Sequence, residues 1–83
     1  MDLEAAHQHS SFHYDEILGS DLCGCFYCLA VFFPVEIKRW ADEADGVSKT
    51  ALCPECGIDS VIGSKSGFGI TPEFLKEMQA HWF

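Results

Sequence analysis

Two short stretches decide the reading of this chain: Cys25-Phe26-Tyr27-Cys28 and Cys53-Pro54-Glu55-Cys56-Gly57, with 24 residues between them. In a CxxC turn the two intervening residues let backbone N–H groups point back at the sulfurs. Both thiolates then reach one ion at about 2.3 Å, and two such turns complete a tetrahedron. The second turn is the more specific, because Pro54 stiffens it and Gly57 permits a left-handed backbone just after the second sulfur. Soft thiolates select zinc or iron over magnesium and calcium. The spacing therefore predicts one metal ion per chain, Zn2+ with Fe as the alternative, held by Cys25, Cys28, Cys53 and Cys56. The competing reading is four buried free thiols acting as small hydrophobes.

Cys23 competes with Cys25 for the first ligand position. The two-residue spacing to Cys28 favours Cys25, leaving Cys23 as an alternate ligand or a bystander thiol. A closed shell of four cysteines has no open position for water or substrate, so the expected role is structural, and metal removal should unfold the domain. Four thiolates on a divalent ion carry −2, taking the formal −8 of the chain to about −10. Lys38 and Arg39 are the bases expected to offset part of it.

Composition narrows the class. Eighty-three residues hold one small domain, which commonly needs a metal or disulfide brace. At 48% hydrophobic and 13% aromatic the chain is not an intrinsically disordered one. Thirteen acids against five bases disfavour a phosphate-tracking face, so no nucleic acid is expected as partner. The stretch Met1–His9 lacks the basic start and apolar run of a signal peptide, and no window has the roughly 18 apolar residues of a membrane span. A cytoplasmic location is expected, where paired cysteines bind metal more often than they form disulfides.

Residues 1–9 read as a flexible segment without period, ahead of a single domain over residues 10–83. Tyr14, Ile17 and Leu18 share one face of a short helix closed by Gly19. Leu29 to Phe33 reads as a strand. Pro34 suits the first position of a helix over 34–44, with Ile37, Trp40, Ala41 and Ala44 on its apolar stripe and Asp42, Glu43 and Asp45 as its solvated end. Strands are expected at 48–52 and 58–62, on either side of the second cysteine turn. Thr71 and Pro72 open a last helix with the stripe Phe74, Leu75, Met78, Trp82. The fold class is small α+β, with short antiparallel strands and two to three helices.

His7, His9 and His13, with Cys23 or Asp21, have the composition of a second metal site, but a segment without a binding role is the favoured reading. No oxyanion hole or orienting partner accompanies Cys23, and the Gly63–Gly69 loop lacks the P-loop ending. The chain is expected not to be an enzyme. Its many aromatics either fill the core or leave an apolar surface for a protein partner or homodimer at Phe68, Trp82 and Phe83.

On the two cysteine turns the chain resembles the zinc-ribbon and treble-clef group, which sets one cysteine turn against another across short hairpins. The same turns are similar to those of rubredoxins, small acidic iron electron carriers, although Leu29 follows Cys28 where rubredoxins usually have glycine. Over about residues 9–83 the chain resembles a family of small bacterial proteins labelled "cytoplasmic protein", on Cys23-Gly24-Cys25-Phe26-Tyr27-Cys28, Pro34/Glu36-Ile37/Trp40, Thr50 through Gly63, and Phe74-Leu75 to Trp82-Phe83. That resemblance implies a cytosolic single domain and carries no catalytic residue. The expected function is a zinc-braced protein-interaction or regulatory module, the alternative a rubredoxin-like electron carrier on the same four cysteines.

Overall fold

Cys23-Gly24-Cys25 is the middle strand around which the molecule is arranged. Alternation along a strand sends Cys23 and Cys25 to one face of the sheet and Gly24 to the other. In the computed structural model, which describes residues 2–41 and 49–83, this strand is β1 (Cys23–Cys25). It pairs antiparallel with β2 (Val31–Phe32) and β5 (Val61–Gly63), with Cys23 opposite Phe32 and Cys25 opposite Val61. Each face carries its own core. Ile17, Cys23, Cys25, Phe32, Ile37, Ala51, Cys53 and Val61 pack on one side. Ala6, Phe26, Ile62, Phe74, Leu75 and Met78 pack on the other. Glycine at 24 lets the second layer come close, since a Cβ there would lie 2.9 Å from Leu75 Cδ1 and Ile70 Cγ2.

Among the described residues three α-helices cover this sheet. The last, α3 (Pro72–Trp82), starts as its sequence predicts: the Thr71 hydroxyl accepts the Phe74 N–H at 3.1 Å, Pro72 takes the first turn, and Phe74, Leu75 and Met78 are buried. The second, α2 (Tyr14–Leu18), buries Ile17, while Leu18, expected on the same face, is exposed. The first, α1 (Leu3–Gln8), is an element the sequence reading does not contain. Asp2 caps it by accepting the Ala5 N–H at 3.0 Å, Ala6 is fully buried, and the helix packs against α3. A six-residue helix is unstable in isolation, so its order comes from tertiary contact and leaves little periodicity to read.

The expected helix over 34–44 is corrected by the structure. Pro34–Glu36 makes a single 3-10 turn, held where the Glu36 carboxylate accepts the Phe33 N–H at 2.7 Å. Ile37 is already extended, and β3 (Trp40–Ala41) pairs with β4 (Thr50–Ala51). Ile37 and Trp40, the bulky residues of that stripe, are also good strand formers, and β4 supplies the ladder partner. Trp40 packs edge-on against Tyr14 at 4.9 Å. The rest of that stripe, the acidic residues Asp42, Glu43 and Asp45, and the start of the strand expected from Ser48 lie outside the described residues. Among the described residues no helix is long and apolar enough to cross a membrane.

His13 ties the N-terminal region to β4. Its ring is buried; Nδ1–H donates to the His9 carbonyl at 2.6 Å, and Nε2 accepts the Ala51 N–H at 3.0 Å. That pattern requires the neutral imidazole. Burial holds its pKa below the usual histidine value, against the opposing pull of the His9 carbonyl and Glu16. The unfolded chain therefore takes up a proton first. The resulting stability is complete above about pH 6.5 and is lost as pH falls below it toward the lowered folded value, by at most about 1.4 kcal/mol per pH unit. Urea midpoints at constant zinc, compared with His13→Gln, should show the difference between the two chains shrinking below that pH. A difference independent of pH would refute this role.

Candidate metal centre

Each cysteine turn sits in a break between strands. The first links β1 to β2, and the second lies between β4 and β5. They are built alike. The Tyr27 and Cys28 N–H groups donate to Cys25 Sγ at 3.3 and 3.5 Å, and the Glu55 and Cys56 N–H groups donate to Cys53 Sγ at 3.4 and 3.5 Å. The Cys25 carbonyl accepts the Leu29 N–H at 2.9 Å, and the Cys53 carbonyl accepts the Gly57 N–H at the same distance. The Cys25 and Cys53 amides in turn donate to the carbonyls of Ala30 and Ile58. The position after the second sulfur is left-handed in both turns, with φ +67° at Leu29 and +79° at Gly57.

That equivalence brings four sulfurs to one point. All four Sγ atoms lie within 4.8 Å of one another, with Cys25 to Cys56 at 3.7 Å and Cys28 to Cys53 at 3.6 Å. A disulfide needs about 2.05 Å, so these are not bonded pairs. The edge of a tetrahedron with metal–sulfur bonds of about 2.3 Å is about 3.8 Å, which the two short separations match. Cys25 and Cys53 form a buried inner pair, Cys28 is exposed and Cys56 half-buried. Among the described residues no other set of His, Cys, Asp and Glu is close enough to share an ion.

The thiols do not ionise together unaided. Burial raises the Cys25 pKa, but the Ser60 hydroxyl at 3.0 Å, the Cys28 and Tyr27 N–H groups and Cys56 outweigh it and leave the value lowered. Although Cys28 as a residue is exposed, desolvation of its sulfur, and after it the Cys53 and Cys25 sulfurs, pushes it up to about 12 against the Ala30 N–H. Burial and the same kind of sulfur neighbours raise Cys56. A cation at the centre reverses this logic and deprotonates its thiol ligands. Arg39 lies beside the second turn, where a Cβ on Gly57 would meet its Nη2 at 3.2 Å. With Lys38, Leu52, Cys53 and Pro54 it lines a cleft of about 230 Å³, so two of the five bases share a cleft with one of the four cysteines.

Cys23 stays outside the group. It is fully buried in the core with Ile17, Phe32 and Val61, and burial pushes its thiol up to about 11. The histidines are not brought together either. His7 lies 4.1 Å from the Trp82 ring, His9 pairs with Glu16 at 2.9 Å, and His13 is the buried tie to β4. Phe68 is half-buried and stacks on Phe74 at 5.6 Å, whereas Trp82 and Phe83 remain partly exposed. Sequence reasoning missed Ser60, whose hydroxyl touches Cys25 and whose carbonyl accepts the Phe26 N–H. Lying 35 positions from Cys25, it offered no local signal.

The two turns reach the left-handed position with different residues. Gly57→Ala should cost about 1–2 kcal/mol, from its φ and from Arg39 standing in the way. Leu29→Gly should stay within about 1 kcal/mol of neutral, because relief of φ offsets the lost packing of a half-buried leucine. Denaturant midpoints at fixed zinc would check the pair, and equal costs would contradict the argument.

No family model matches this chain, and neither a curated protein nor a solved structure matches it.

Proposed function

We propose that the four sulfurs hold one Zn2+ as a closed structural centre of zinc-ribbon or treble-clef type, and that the chain is a non-enzymatic cytoplasmic module acting through a protein partner or a second copy. The observation that carries the metal reading is four cysteine sulfurs within 4.8 Å, two of their separations close to a tetrahedral edge. A surface role draws support from Val31, Phe33 and Val35. All three are exposed, at alternate positions along β2 and the turn after it, with Val35 at 85%. An apolar strip of that kind on so acidic a chain suits a protein contact better than a nucleic-acid one.

The test is elemental analysis with a visible spectrum, on protein purified without chelators or added metal. One zinc per chain in a colourless solution is the expected result. No metal in a folded protein would overturn the reading. One iron per chain, with colour that bleaches on reduction, would establish the second reading, an electron carrier on the same sulfurs. That reading draws support from the backbone of Leu29. Although rubredoxins usually have glycine there, Leu29 takes the same left-handed conformation as Gly57, so the departure in sequence makes no difference to the turn.

A further inference from the structure

Beside Phe26 of the first cysteine turn, the end of α1 with the residues after it and the end of α3 leave a cleft of about 350 Å³. One wall is aromatic: Trp82 stacks near His7 at 4.1 Å, and Phe83 lies 6.0 Å from Phe26. Trp82 and Phe83 keep 38% and 59% of their surface exposed, so ring surface is open to a ligand. The polar part of the lining is Asp59 with Ser10, Ser11 and Ser60. The Ser10 hydroxyl is committed to the His7 carbonyl and that of Ser60 to Cys25 Sγ. Among the described residues the Asp59 carboxylate has no hydrogen-bond or ion-pair partner, and neither Lys nor Arg lines the cleft.

We propose that this cleft binds a small quaternary ammonium compound, its cationic head held by the Trp82 and Phe83 rings and by the Asp59 carboxylate. Aromatic faces attract cations through their quadrupoles, and a weakly hydrated trimethylammonium group gives up little on leaving water. A neutral apolar ligand would cover Asp59 without pairing it, which is costly. An anion would meet both that carboxylate and a chain of net charge −8. A bare metal ion would find a single carboxylate there, too few hard ligands for a site. The volume falls in the range of small-ligand pockets. The proposal stands apart from the identity of the metal, because none of the three groups holding the ligand is a cysteine.

The test is a titration of the full chain, in its metal-bound form as purified, with choline chloride. Its uncharged isostere 3,3-dimethylbutan-1-ol is the comparison, at constant chloride. NMR shifts of the Trp82 indole N–H and of the Ser60 and Phe83 amides report on the cleft. Choline should give saturable shifts there and bind about tenfold tighter than the alcohol. Asp59→Asn should weaken choline about fivefold or more and leave the alcohol unchanged, and Trp82→Phe should retain part of the affinity that Trp82→Ala loses. Equal affinities for choline and the alcohol would overturn the proposal. So would shifts that fail to saturate or fall outside the cleft, or an Asp59→Asn chain that binds choline unchanged. If Trp82→Ala does not fold, the exposed Asp59→Asn substitution decides alone.

Discussion

Cys53→Ser is expected to leave a chain with no cooperative unfolding transition at room temperature. Cys53 Sγ accepts the Glu55 and Cys56 N–H groups and sits 3.6 Å from Cys28 Sγ, so it belongs to one turn and closes the site with the other. Structural zinc in small peptides contributes about 10–16 kcal/mol, and a whole domain is commonly stable by only about 5–15 kcal/mol. Losing one thiolate of four removes much of the first figure. It also leaves three clustered sulfurs, the buried Cys25, the half-buried Cys56 and the exposed Cys28, that repel one another when ionised. Cys23→Ala is the matched control: its thiol lies in the core outside the group, so it should cost about 1–2 kcal/mol and keep one metal per chain. Circular dichroism melts with metal analysis on both variants would check the contrast. A Cys53→Ser chain melting at the parent temperature would refute the structural role.

Phe74→Ala should cost about 3–5 kcal/mol while leaving the metal stoichiometry at one. Phe74 is 1% exposed, stacks on Phe68 and belongs to the core between α1, α3 and the Gly24 face of the sheet. Cys25 and Cys53 belong to the core on the other face. The substitution therefore opens a cavity in the layer that does not hold the sulfurs. Equilibrium unfolding at fixed zinc, with metal counted on the folded protein, tests both halves. A large drop in metal content in the still-folded variant would mean that the two cores are not separable in this way.

The sulfur positions were legible because a metal turn is a local object. Two cysteines three apart, a proline between them and a glycine after them describe a backbone conformation that neighbouring residues alone can impose. The first helical position of α3 was legible for the same reason, from Thr71 and Pro72. Ile37 and Trp40 misled because three- and four-residue spacing of bulky apolar residues suits a helix or an extended segment. The choice fell to β4, which the local pattern does not contain. Helix α1 was not legible because its stability resides in α3, about seventy residues away.

By itself, then, the sequence determined the chemistry of the centre. Four soft ligands in two CxxC turns, on a chain of net charge −8, follow from residue type and short spacing. Only the tertiary structure decided that these sulfurs meet and what surrounds them. The alternation of β1 put Cys23 and Cys25 on one face, and the chain turn after Cys25 carried only the latter to the group. Folding also brought the Ser60 hydroxyl to Cys25, Arg39 to the second turn, and Asp59 to the cleft lined by Trp82 and Phe83. Those are long-range juxtapositions, set by how two small cores pack on opposite faces of a three-stranded sheet, and no local pattern of residues encodes them.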